Sequence, residues 1–217
     1  MASLLKAGVH FGHQKSRRNP KMDDYIYITR NNINIIDLAK TVELTKEALD
    51  FLTSVKKSGK QILFVGTKKQ ARDLIIDIAE YTGNPFVVER WLGGTFTNFG
   101  NIRRRVRYMI RLRDQIAKGE LKKYTKFEQM KKVEEAEKLD RRMGGIAEMR
   151  EMPGAIFVTD VIADNLAIRE AQKMNVPVVA LVDTNVDPEG VTYPIPANDD
   201  AVSSLAIMLA HVCKALR

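Results

Sequence analysis

QILFVGTKKQA, residues 61–71, sets an unbroken run of branched and aromatic side chains against a glycine and then a lysine-rich helical start. A run with no polar alternation reads as a strand covered on both faces, as in a parallel sheet with helices above and below. The same reading holds for PFVV (85–88), GAIFVT (154–159), VPVVALV (176–182) and NINIID (32–37). Amphipathic helices are expected at about 38–57, 68–82 and 163–174, with a last one at about 199–215. Strand and helix in alternation imply right-handed crossovers, and so an α/β fold with a parallel sheet and helices on both faces. Ahead of it, YIYITRNNINIID (25–37) carries Asn31 and Asn32 at a turn, so residues 25–29 are expected to pair antiparallel with the strand that follows.

One segment interrupts the alternation. From Asn101 to about Met143 no strand candidate occurs, only two helical patterns joined near Lys118, Gly119 and Glu120. On a helical wheel Ile102, Val106, Met109, Leu112 and Ile116 fall within roughly 120°, a stripe wide enough to pack. The second arm offers Phe127, Met130, Val133, Ala136, Leu139 and Met143, and Gly144 and Gly145 end it. The expected organisation is a sheet domain over 1–99 and 146–217, with a basic N-terminal segment 1–35, and an inserted antiparallel, coiled-coil-like helical hairpin over 100–145.

A chain of 217 residues buries enough surface to fold without staples, and its single Cys213 cannot pair within the chain. The opening MASLLKAGVHFGHQ is too short an apolar run for a signal peptide, and no segment has the length to span a bilayer, so a soluble cytoplasmic protein with no membrane partner is expected. The net charge of +8 is unevenly spread. Residues 103–126 hold ten bases and two acids, whereas 151–217 hold four bases and nine acids. Basic charge confined to particular segments points to a polyanion held at defined places.

Arg103, Arg104, Arg107 and Arg111 share an arc of roughly 110° opposite the apolar stripe, and the first acid of that helix is Asp114. Such a face suits nucleic-acid phosphate, because guanidinium forks match phosphate oxygens and their planes stack on bases. The loop WLGGTFTNFG (91–100) has the spacing of neither common phosphate cradle. Gly93 and Gly94 still permit close approach, Thr95, Thr97 and Asn98 offer donors before a helix start, and Trp91, Phe96 and Phe99 are expected to seat the hairpin on the sheet. Lys68 and Lys69, after the strand at 61–65, stand where open parallel sheets usually bind ligands.

In VHFGHQKSRRNPKM (9–22), Lys15, Arg17, Arg18 and Lys21 form a basic loop. His10 and His13 alone make too few ligands for zinc, so no metal and no cofactor are expected, and RNA contact or a structural role fits them better. Asp160, Asp164, Asp183, Asp187, Asp199 and Asp200 gather at strand ends, where turn and capping roles are the ordinary explanation. No nucleophile with a partnering base stands out. The chemistry of the residues alone leaves open an RNA-binding protein, a protein-docking adaptor using Asp199 and Asp200, and a nucleotide or phospho-ligand enzyme on the same sheet.

GVHFGHQ, NPKM, NIIDLAKT, LFVGTKKQA, RWLGGTFTNF, MPGAIFVTD, VPVVALVDTNVDP and YPIPANDDA, in that order, resemble the bacterial-type family of the second protein of the small ribosomal subunit, over about residues 3–214. The resemblance implies a flavodoxin-like domain carrying a helical hairpin, and a structural constituent of that subunit rather than an enzyme. It also implies small-subunit ribosomal RNA and neighbouring small-subunit proteins as partners, including support for docking of the first protein during translation; DNA is not an expected partner. Two departures stand out. Arg18 occupies the place of a usual tryptophan before NPKM, and Val161, Ile162 and Ala163 replace a usual Pro-Arg-Lys run.

Overall fold

The computed structural model describes residues 1–217 as two sheets with helices around them. After a short helix α1 (Ala2–Lys6), strands β1 (Phe11–Gln14), β2 (Ile26–Arg30) and β3 (Ile33–Ile36) form a small antiparallel sheet in the order β1-β3-β2. Asn31 and Asn32 join β2 to β3 with φ of 48° and 63°. Two positive φ values in succession match the right-handed twist of a tight hairpin, and asparagine tolerates them better than most residues. NINIID therefore corrects one expectation: β3 lies in this antiparallel sheet, outside the parallel one, because its edges pair with β1 and β2.

The parallel sheet contains β4 (Ile62–Val65), β5 (Phe86–Val87), β6 (Ala155–Val158), β7 (Val178–Val182) and β8 (Tyr193–Pro196), ordered β5-β4-β6-β7-β8. Counted within the sheet this is the 2-1-3-4-5 order of a flavodoxin-like domain. β8, in YPIPAND, escaped the reading of apolar runs because its two prolines remove ladder donors; it sits at the sheet edge, where that loss is tolerated. Alternate residues of each strand serve opposite cores. Ile62, Phe64, Phe157 and Leu181 face α2 (Leu38–Lys57), α3 (Lys69–Thr82) and α7 (Val202–Ala215), while Leu63, Val65, Ile156 and Val158 face α6 (Asn165–Lys173) and the inserted helices. Gly66, just past β4, is held to glycine by close packing, since a Cβ there would stand 2.8 Å from both Ile75 and Thr159.

The inserted helices are α4 (Phe99–Ala117) and α5 (Lys126–Met143), joined through a 3-10 turn at Glu120–Lys123. Ile102, Val106, Met109 and Leu112 are buried along α4, as are Ala136 and Met143 on α5. Tyr108 donates to Glu135 at 3.2 Å and Arg113 pairs with Asp140 at 2.9 Å, so polar contacts flank the apolar seam. Trp91 and Phe96, edge to face at 5.1 Å, lie in the same core as the base of α4. No helix is long and apolar enough to cross a membrane.

Candidate nucleic-acid interface

α4 carries six arginines, and the four that share one face, Arg103, Arg104, Arg107 and Arg111, differ in environment. Arg103 donates to the Arg150 carbonyl and lies 5.9 Å over the Phe99 ring, so it ties the helix to the segment before β6. Arg104, Arg107 and Arg111 are exposed, and none makes an ion pair; they line a cleft of about 420 Å³ with Ile110. Arg113, two residues beyond Arg111 and so on another face, has its carboxylate in Asp140. The contrast matters because like charges on adjacent turns repel unless an anion lies between them. A larger cleft, about 770 Å³, continues from Arg103 and Arg107 to Lys60 and Arg150.

The N-terminal loop divides in the same way. Lys15 and Arg17, in a 3-10 turn after β1, are exposed without a carboxylate partner. Arg18 is paired with Asp23, its Nε 2.5 Å from the carboxylate, and Lys21 holds Asp187 at 2.8 Å and also Glu189. The Arg18 charge is thus used within the loop. Asn19 caps the following 3-10 turn by accepting from the Lys21 N–H at 3.0 Å, with Pro20 at its first position.

The glycine loop between β5 and α4 is an anion cradle, and its anion belongs to the protein. Glu170, buried on α6, accepts from the N–H groups of Gly94 at 2.6 Å, Phe96 at 3.0 Å and Thr97 at 3.3 Å. Burial works to raise this carboxyl, and the three backbone donors overcome it, holding the group below the usual carboxylate range. Gly94 adopts φ 89°, in the region that favours glycine, and so lets its N–H turn inward. Thr95 is buried and donates to the Leu92 carbonyl at 2.6 Å, whereas Thr97 and Asn98 are exposed. Sequence reasoning missed Glu170. Its signal was an acid beside Ala167, Ile168 and Ala171 on the apolar side of α6.

At the C-terminal ends of the parallel strands, Lys68 is enclosed by acids. Its ammonium lies 3.1 Å from Asp160, 3.1 Å from Asp199 and 2.6 Å from Asp200. Burial disfavours its charge, and the carboxylates outweigh this, so the amine stays charged far above neutral pH. Burial, with Asp160 and Asp183 nearby, pushes Asp199 up to about 7, and burial pushes Asp164 up to about 6. His13 bridges Asp183 at 3.2 Å and Asp200 at 3.3 Å; its hydrogen bond to Asp183 raises its pKa against the opposing effect of burial. Lys69 is exposed at the start of α3. Asp199 is only 3% exposed and Asp200 is 52% exposed, so these neighbours differ in what they present to a partner.

The chain matches the family model for ribosomal protein S2 over residues 4–217. It is 48% identical over 215 residues to the small ribosomal subunit protein uS2 of Roseiflexus castenholzii, covering 99% of this chain and 82% of that one. Against uS2 of Bradyrhizobium sp. strain ORS 278 it is 47% identical over 99% of its length, spanning 65% of that longer protein. Against uS2 of Dehalococcoides mccartyi strain CBDB1 it is 45% identical over 98% of its length and 87% of the relative.

Proposed function

This chain belongs to the ribosomal protein S2 family and is accordingly a structural constituent of the small ribosomal subunit, and we propose that it grips small-subunit ribosomal RNA through the free arginines of α4 and the free cations of its N-terminal loop. Membership places the chain in that cytoplasmic particle among its RNA and proteins, and gives it no catalytic task. The expectation of a phospho-ligand enzyme is set aside. Both places where a phosphate was anticipated are met by carboxylates: Glu170 fills the glycine loop, and Asp160, Asp199 and Asp200 surround Lys68.

The observation that carries the reading is the row Arg104, Arg107 and Arg111, exposed and without acids, on a helix whose opposite face is buried. Lys15 and Arg17 extend the grip, with Lys69 and Asn98 as further exposed donors, while the Thr97 N–H and hydroxyl both donate to Glu170. Arg18, Lys21, Lys68, Thr95 and Arg103 act one step back, by holding the loops and α4 in place through the contacts described above.

Retention on small subunits through a series of salt washes tests this. Each lost phosphate contact lowers the log–log salt slope by about 0.7 to 0.9, so an Arg104→Glu, Arg107→Glu, Arg111→Glu variant is expected to show a slope shallower by about 2 to 3 and to wash off early. Equal retention of a folded variant would remove α4 from the grip.

A second role, docking of neighbouring small-subunit proteins including the first protein, is assigned to the acidic strand-end edge. The exposure of Asp200 beside the buried Asp199 favours it. Asp200→Asn should weaken capture of that partner and leave RNA retention unchanged; capture at full strength would exclude this edge.

A further inference from the structure

The turn between α4 and α5 and the first turns of α5 carry a second arrangement that the arginine face does not explain. Phe127 is 60% exposed and Met130 is 64% exposed, three residues apart on α5 and therefore on one face. Lysines surround them. The Lys131 ammonium lies 4.5 Å from the centre of the Phe127 ring, and those of Lys132 and Lys123 lie 4.7 and 5.4 Å from the Tyr124 ring. Of the acids here, Glu128 is occupied in the N-terminal cap of α5, accepting from the Thr125 N–H at 2.9 Å and the Thr125 hydroxyl at 3.0 Å, and Glu120 in the 3-10 turn forms no ion pair with these lysines. The ammonium groups therefore have aromatic faces for neighbours, and no ion pair is formed by Lys123, Lys126, Lys131 or Lys132.

We propose that this turn is a second RNA contact, of a different kind from the arginine face: an unpaired nucleotide stacks its base on the Phe127 ring while flanking phosphates meet Lys126, Lys131 and Lys132. The inference rests on the RNA-binding reading above. A purely apolar partner would cover Phe127 but strip water from several lysines without compensation, and an acidic protein surface would meet the lysines while leaving the ring in water. A single-stranded nucleic acid answers both, because every base has a π-face and every linkage a charge. A duplex answers only the charges, since its bases are already stacked.

The native chain has one tryptophan, Trp91, which is buried, so a Phe127→Trp variant places a separate reporter on the turn. It is titrated with a short oligoadenylate, with a matched RNA duplex, and with small subunits stripped of this chain. Quenching by oligoadenylate and by stripped subunits, and little by the duplex, is expected; Phe127→Ala should weaken oligoadenylate binding about tenfold, the size of one stacked base. Lys131→Gln and Lys132→Gln should each lower the salt slope by about 0.7. Emission that responds to stripped subunits but not to oligoadenylate would assign the turn to a protein surface and overturn the proposal, as would no response anywhere. The arginine variant separates the two ideas: if it loses retention while Phe127→Ala does not, only the contact at the turn fails, and if it and a Lys15→Glu, Arg17→Glu variant both keep retention, the reading beneath it fails.

Discussion

Glu170 shows how one side chain shapes a whole segment. RWLGGTFTNF has the composition of a ligand loop, and its N–H groups do converge on an anion, yet that anion arrives from α6 through a distance of 73 to 76 residues in the chain. Replacing Glu170 with Gln removes the charge and sets an amide N–H₂ among inward-pointing donors. Loss of such charge-assisted bonds costs about 1.5 to 3 kcal/mol, so the variant's thermal midpoint should drop by several degrees, with the change visible in near-ultraviolet signals from Trp91. An unchanged midpoint would mean that the loop holds its shape without the carboxylate. Glu170 was legible as an acid on an apolar stripe, but its partners were not, because nothing local to either segment encodes their meeting.

Helices α4 and α5 illustrate what periodicity can carry. The apolar stripe of α4 and the glycines after Met143 are local features and can be read without knowing the rest of the chain, whereas the stripe expected on α5 holds only from Val133 to Met143, since Phe127 and Met130 stand exposed. The start of α5 was less plain. Thr125 accepts from the Glu128 N–H while the Glu128 side chain accepts from the Thr125 N–H, a reciprocal cap that lies several residues beyond the expected join at Lys118 to Glu120. The residues between form a 3-10 turn with Leu121 buried. Thr125→Ala should cost about 1 kcal/mol and fray this end of α5 first, measurable as faster amide exchange at residues 126–129. Exchange rates that stay the same would show that packing of Leu121, and not the cap, fixes the helix start.

Across the whole molecule, the cluster at the strand ends joins the N-terminal segment, the start of α3, the β6–α6 loop and the segment before α7. His13, Lys68, Asp160, Asp183, Asp199 and Asp200 meet there. Asp199 has a folded pKa of about 7 against an ordinary 3.8, so between those values the folded state holds a proton that the unfolded chain has released. Its contribution is therefore full below about pH 4 and is lost as pH rises toward 7, by on the order of 1 to 3 kcal/mol. Asp164, raised to about 6, and His13, also raised, act with the same sign. Denaturant midpoints followed from pH 4 to 7 should decline more steeply for the native chain than for Asp199→Asn; parallel curves would show that Asp199 ionises normally in the folded state.

The sequence by itself determined the α/β class, the interruption by two helices, the tight Asn31–Asn32 turn and the concentration of base in 103–126. Each depends on neighbours within a few positions, where hydrophobic period, turn preference and charge are written directly. Only the tertiary structure decided which strands share a sheet, moving NINIID to the antiparallel sheet and adding the proline-bearing β8. It also decided which charges remain free. Arg104, Arg107, Arg111, Lys15 and Arg17 look the same in the sequence as Arg18, Lys21 and Lys68, and they differ because the acids that neutralise a cation come from wherever folding brings them, at no fixed distance along the chain.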